Sequence, residues 1–231
     1  MYRLYSLGSE GAGSLAVVLI DSDVLWLAQT NTWVIASGAG SEAIVVDAPP
    51  DPAGIGRLLS RHDLTPVALL LTHGHIDHMG GAESLRSLGA VTYVHPDDDF
   101  LTMDPEGQMR MLFGTVPAGE HMAPAETRPL THGQVLALAG IELGVRHTPG
   151  HTPGHCCFHV AAEGVLFSGD QLFAGSIGRT DLPGGDTDQL MASMRDHVMT
   201  LDDDTRVLPG HGPETSIGRE RRTNPFRSHW Q

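Results

Sequence analysis

Short apolar runs set the pattern of the first 48 residues, with Gly, Ser, Asp and Asn between them. Stretches 15–20, 24–28, 33–36 and 43–46 are rich in β-branched and aromatic residues, which predicts four strands in an antiparallel meander. Asp51-Pro52 then predicts a helix, with Asp as N-cap, Pro in the first turn and Ile55, Leu58 and Leu59 as the apolar face. Residues 67–71 are continuously apolar and read as a buried strand. Met79, Ala82, Leu85 and Leu88 recur at helical spacing, which predicts a helix starting near His78 and running to 88. A strand at 91–95 follows. Residues 96–130 show no clear period and read as a loop, either mobile beside a site or a passive insertion. Strands return at 135–138, 141–147, 156–160 and 165–167. Asp186 with Gln189 resembles a capping box. The stripe Leu190, Met194, Val198 and Leu201 reads as a core-facing helix, and 206–208 as a last short strand. Strands then a helix, twice, suggest two half-units within one domain spanning 1–231.

Between the 67–71 strand and the next helix lies Thr72-His73-Gly74-His75-Ile76-Asp77-His78. Four metal-ligand residues fall within six positions. Imidazole with carboxylate suits zinc, iron or manganese, whereas calcium and magnesium prefer oxygen alone. Open α/β architectures place their sites at such strand-to-helix turns. Three later positions share the setting, each a ligand-type residue beside glycine at the end of an apolar strand. They are His151 in Thr148-Pro149-Gly150-His151, Asp170 after Ser168-Gly169, and His211 after Pro209-Gly210.

Composition narrows the function. The chain has 28 acidic and 14 basic residues in 231, a net charge of −14. That field repels phosphate backbones, so nucleic acid is not an expected partner. All the basic residues are arginine, which excludes Schiff-base chemistry on lysine. The two cysteines, Cys156 and Cys157, are neighbours that a strand points to opposite faces, so no disulfide is expected between them. The start lacks a signal-peptide pattern, and no apolar run approaches a membrane span. The expectation is a cytoplasmic protein with no membrane partner.

Taken together, the His-x-His-x-Asp-His motif, the TPGH turn, the strand-end SGD and the final PGHG resemble the metallo-β-lactamase superfamily from Asn31-Thr32-Trp33 onward. Leu172 to Asp181, Pro183-Gly184-Gly185-Asp186 and Glu220 to Phe226 are most similar to the glyoxalase II-like hydrolases. The resemblance implies an α/β fold, a four-layer αββα sandwich with a dinuclear metal site at its edge. It assigns His73, His75 and His151 to one ion, Asp77, His78 and His211 to the other, and Asp170 as the bridge. It picks His151 over His155, which then starts a strand. Histidines 62, 95, 121, 132, 147, 159, 197 and 229 read as structural or surface residues.

The implied activity is hydrolysis of a 2-hydroxyacyl thioester such as lactoyl-glutathione by a metal-bound hydroxide. Two ions, zinc first with iron or manganese also accepted, lower the pKa of a shared water from about 15.7 toward roughly 7. Asp77 is the expected catalytic carboxylate, ligating with one oxygen and orienting the hydroxide with the other. Larger glyoxalase II enzymes carry basic residues in a C-terminal helical region. Here Arg179, Arg221 and Arg222 are candidates for substrate contact, and solvated or ion-paired positions suit them equally. A persulfide dioxygenase of the same superfamily, using one iron at the positions of His73, His151 and Asp170, is the alternative.

Overall fold

A computed structural model describes residues 18–116 and 122–230. Strands β1 (Leu19–Leu25), β2 (Thr30–Ala36) and β3 (Glu42–Val46) pair antiparallel, as the meander requires. Helix α1 (Pro52–Arg61) crosses over to β4 (Thr65–Leu70), which lies parallel to β3. Helices α2 (Ile76–Met79) and α3 (Ala82–Ser87) lead to the parallel strand β5 (Val91–Val94). Helices α4 (Asp99–Thr102) and α5 (Pro105–Phe113) precede the edge strand β6 (Arg128–Pro129). The first sheet runs β1 to β6 in order.

The second half builds β7 (Val135–Leu138), β8 (Ile141–His147), β9 (Cys156–Val160) and β10 (Val165–Gly169). A small hairpin, β11 (Leu172–Phe173) and β12 (Ser176–Ile177), precedes helix α6 (Thr187–Ser193). Strands β13 (Arg206–Pro209) and β14 (Thr215–Ser216) and helix α7 (Ile217–Thr223) follow. The second sheet has the order β14-β13-β10-β9-β8-β7.

Side-chain parity explains the layering. On β2 to β4, Trp33, Ile35, Ile44, Val46, Ala68 and Leu70 point one way, onto Val145, Phe158, Phe167 and Leu208 of the second sheet. Their neighbours Val34, Ala36, Val45 and Leu69 point the other way, onto Ile55, Leu58 and Leu85 of the helices. On the second sheet Cys157, Leu166 and Val207 face outward onto Leu190, Met194 and Ile217. Strands buried on both faces read as continuous apolar runs, and helices must cover each outer face. The result is the expected αββα sandwich. Each fully buried large side chain contributes about 1.5–3 kcal/mol, so the doubly covered middle layer is the main stabilising block.

The cysteines fall in different layers and are free, as parity predicts. Burial pushes both thiols up, Cys157 to about 12, so neither is a nucleophile. No helix among the described residues is long and apolar enough to cross a membrane.

Three expectations change. The strands placed at 15–20 and 24–28 are one strand at 19–25, followed by a turn in which Trp26 and Gln29 take positive φ; positions 15–17 lie outside the described residues. The polar triplet Asp21-Ser22-Asp23 is not a break but an edge segment, where Asp21 and Asp23 pair with Arg61 of α1. The helix expected up to 88 is split at Gly80-Gly81, because Gly81 N–H donates to the Ala48 carbonyl and a Cβ there would lie 2.5 Å from the Pro49 oxygen. The stretch 96–130 is not a plain loop. Its helix α5 starts with Asp104 capping Gly107 and Pro105 following, the same signal as Asp51-Pro52.

Candidate metal centre

The motif leaves β4 at the seam between the two sheets. Asp47, just past β3, fixes its first residue: Oδ1 accepts from Thr72 N–H and Oδ2 from Thr72 Oγ1, each at 2.8 Å. The Thr72 carbonyl accepts from Cys156 N–H of the other sheet at 2.7 Å. His73, His75, Asp77 and His78 then turn into the seam. His151 arrives from the 148–155 turn, where Gly150 has φ +138° and a Cβ would lie 2.2 Å from Leu190 N, leaving room for glycine alone. Asp170 follows β10, and its backbone N–H donates to His155 Nε2 at 3.1 Å. His211 follows β13 on a turn held from the first sheet. Asn31 Nδ2 donates to the Pro209 and Gly212 carbonyls at 2.9 Å each, and Trp33 Nε1 to Pro209 at 3.0 Å.

All seven side chains converge. His151 Nε2 lies 3.0 Å from His75 Nδ1 and 3.2 Å from His73 Nε2. His78 Nε2 lies 3.3 Å from His211 Nε2, and Asp77 Oδ2 is 3.4 and 3.3 Å from these two nitrogens. Asp170 faces both groups: Oδ1 is 3.5 Å from His78 Nε2, and Oδ2 is 3.6 Å from His151 Nε2 and 3.5 Å from His211 Nε2. Three overlapping sets, His73–His75–His151, His73–His78–Asp170 and Asp77–His78–His211, could each hold an ion.

The donor chemistry fits a cation. His151 Nδ1 donates to the Arg179 carbonyl at 2.7 Å and His211 Nδ1 to the Gln29 carbonyl at 3.3 Å. Carbonyls only accept, so each N–H is turned outward and each Nε2 presents a lone pair inward. Tetrahedral ligands about 2.0–2.1 Å from one ion stand roughly 3.3–3.4 Å apart, within the 3.0–3.6 Å separations found here. The Asp170 Oδ1 and His75 Nε2 atoms are buried without a hydrogen-bond partner.

Burial, reinforced by neighbouring imidazoles, holds His73 well below the usual histidine range, His75 at about 3 and His151 at about 4. These rings are neutral and ready to ligate. Burial also opposes charge on His78, but Asp77, Asp170 and Asp47 outweigh it and draw a proton on, one an incoming cation must displace. Asp77 is held well below the carboxylate range, its burial outweighed by His78 and His211.

A pH dependence follows for the metal-free chain. Where a folded histidine pKa is depressed, the unfolded chain binds more protons, so stability falls as pH drops below about 6.5 toward about 3–4. His73, His75, His151 and His155 act in this sense. His78 and His211, whose values are raised, act in the opposite sense mainly above this range, and Asp98, raised to about 6 by burial, opposes the loss within it. The depressed set is larger, so melting in chelator should drop steadily from pH 6.5 to 4. A midpoint constant over that range would contradict these burial effects.

Other expected residues take different places. Arg179 pairs with Asp181 at the surface and reaches the cluster only through its carbonyl. Arg221 and Arg222 are committed to Asp203, and Arg221 also donates to the Met199 and Leu201 carbonyls at 2.8 Å. Neither makes a hydrogen bond or ion pair with the cluster. His155 is buried outside the three sets, its Nδ1 against Thr148 Oγ1. His95 and His147, read as structural, stack at 3.9 Å beside Asp97, and the three form a separate group whose ligand atoms lie close enough to hold an ion. His121 lies outside the described residues. Sequence reading passed over Asp47, which also accepts from His78 Nδ1 at 2.8 Å; its position after a strand was the available signal.

A family model described as the metallo-beta-lactamase superfamily matches residues 25–211. An uncharacterised protein of Mycobacterium leprae is 44% identical over 209 residues, covering 86% of this chain and 93% of its own length. Hydroxyacylglutathione hydrolase GloC of Haemophilus influenzae is 34% identical, covering 88% and 90%. Among solved structures, BLEG-1 B3 metallo-beta-lactamase matches with TM-score 0.83 at 36% identity, covering 91% of this chain and 100% of that one. TTHA1623 in a di-iron-bound form matches with TM-score 0.78 at 37% identity, covering 89% and 99%.

Proposed function

The chain belongs to the metallo-beta-lactamase superfamily, and on that premise we propose that it is a metal-dependent hydrolase of 2-hydroxyacyl thioesters of the lactoyl-glutathione kind. The observation that carries this reading is the complete ligand set, with Asp170 between the two groups. Two divalent ions would be held by His73, His75 and His151 on one side and Asp77, His78 and His211 on the other. Zinc is the first choice, and iron or manganese suits the same donors. The di-iron neighbour and the GloC relative support a dinuclear thioester hydrolase.

When bound, such ions supply Lewis acidity and bring the pKa of water near neutrality. The rest falls to the chain. Asp77 stays anionic, accepts from Thr30 Oγ1 at 3.2 Å, and would orient the attacking water. His73, His75 and His151, held neutral by burial, would offer their lone pairs to an ion. A thioester suits the site because its thiolate leaves with little help from an acid.

The test is to purify without a histidine tag, measure bound metal, and assay lactoyl-glutathione hydrolysis beside nitrocefin cleavage and oxygen uptake with glutathione persulfide. Hydrolysis of the thioester at two ions per chain is expected. Oxygen uptake with one iron per chain, or cleavage of the β-lactam alone, would overturn the reading.

A further inference from the structure

The three-histidine group is braced by two buried side chains from the segment that shows no period in the sequence. We propose that Asp98 and Gln108 are positioning residues that set the spacing of His73, His75 and His151, and so the affinity of that group alone for its ion.

Asp98 is fully buried in the turn between β5 and α4. Its Oδ2 accepts from Gly74 N–H at 2.8 Å and from Thr152 Oγ1 at 2.7 Å, and its Oδ1 from Gly154 N–H at 2.6 Å. Gly74 stands between His73 and His75, and Thr152 follows His151. One carboxylate therefore ties together the two loops that supply this group. Gln108, on α5, grips the first loop from its other polar groups. Its Oε1 accepts from Ile76 N–H at 2.9 Å, and its Nε2 donates to the Gly74 carbonyl at 3.0 Å and the Leu101 carbonyl at 2.8 Å. Both polar groups of the Gly74 backbone are thus fixed by side chains from outside the motif.

The packing leaves no slack. A Cβ on Gly74 would lie 2.9 Å from Leu101 Cβ and 3.0 Å from the Asp98 carbonyl oxygen, and one on Gly154 would lie 2.7 Å from Asp98 Cγ. Both loops close directly on this segment. The second group has an anchor of its own, since Asp47 accepts from His78 Nδ1 at 2.8 Å. Metal–ligand distances tolerate only about ±0.2 Å, so a loop that slips costs affinity at its own ion first.

This inference rests on the metal reading of the cluster and is independent of its substrate. Apo full-length chain is titrated with Co²⁺ against a chelator, following the visible absorption bands of each bound ion, and His151→Ala identifies the constant belonging to the three-histidine group. Asp98→Asn and Gln108→Leu should weaken that constant about 10–100-fold and leave the other unchanged. Thr152→Val should do so more mildly, with recovery in Thr152→Ser, a graded response that keeps the proposal testable should Asp98→Asn fail to fold. Equal weakening of both constants, or no change in either, would overturn it. So would a single bound ion weakened by His151→Ala but not by the Asp98, Gln108 and Thr152 variants. A wild-type chain that binds no cobalt would overturn the metal reading itself.

Discussion

Asp170→Ala should bind at most one ion per chain and lose about 10²–10³-fold or more in turnover. Asp170 is the one carboxylate placed against both groups, within 3.6 Å of His78, His151 and His211. Alanine removes both oxygens from between them and leaves Asp77 as the one carboxylate of the three sets to balance two dications. The backbone there is held independently by the bond from Asp170 N–H to His155 Nε2, so the fold should survive. Metal content and turnover are measured together with far-UV circular dichroism. Two ions and full activity in this variant would refute the bridging role.

Asp47→Ala should produce the largest stability loss of any single change at the site, about 3–5 kcal/mol in the metal-free chain. Asp47 is buried, and its carboxylate satisfies Thr72 N–H, Thr72 Oγ1 and His78 Nδ1 together. Alanine leaves three buried donors without an acceptor, each worth roughly 1–3 kcal/mol, with partial relief from water. In a chain of this size the thermal midpoint should fall by about 10 °C. Calorimetry on apo protein decides it, and a midpoint shift within about 2 °C would show that Asp47 is not the brace described.

The parts of this molecule that were legible in sequence are those where a local pattern reports a local fact. Strands 135–138, 141–147 and 156–160 match β7, β8 and β9 to the residue, because runs buried on one or both faces have no other reading at that length. The caps Asp51 and Asp186 accept from Gly54 N–H and Gln189 N–H as their spacing required. The seven candidate ligands were visible because four fall within six residues after an apolar strand, and His151, Asp170 and His211 each follow one beside glycine. What was not legible depends on partners far along the chain. Asp21 and Asp23 look like a break until Arg61 is placed over them. Asp98 and Gln108 sit in a segment without periodicity, since one buries its carboxylate and the other its amide among backbone groups instead of apolar neighbours. Arg221 and Arg222 carry charge suited to a substrate, yet Asp203 lies nearer.

The turn bearing His211 is held by Asn31 and Trp33 across the seam, and the ligands come from both sheets. Any ion held there would be a clasp between layers that an opened chain cannot offer. Its contribution grows with free ion concentration, by about 1.4 kcal/mol for every tenfold rise beyond saturation at a site. Newly made copies that miss their ions would open first and meet proteases first. Cation supply would thereby set how much of this protein persists, as well as how fast it works.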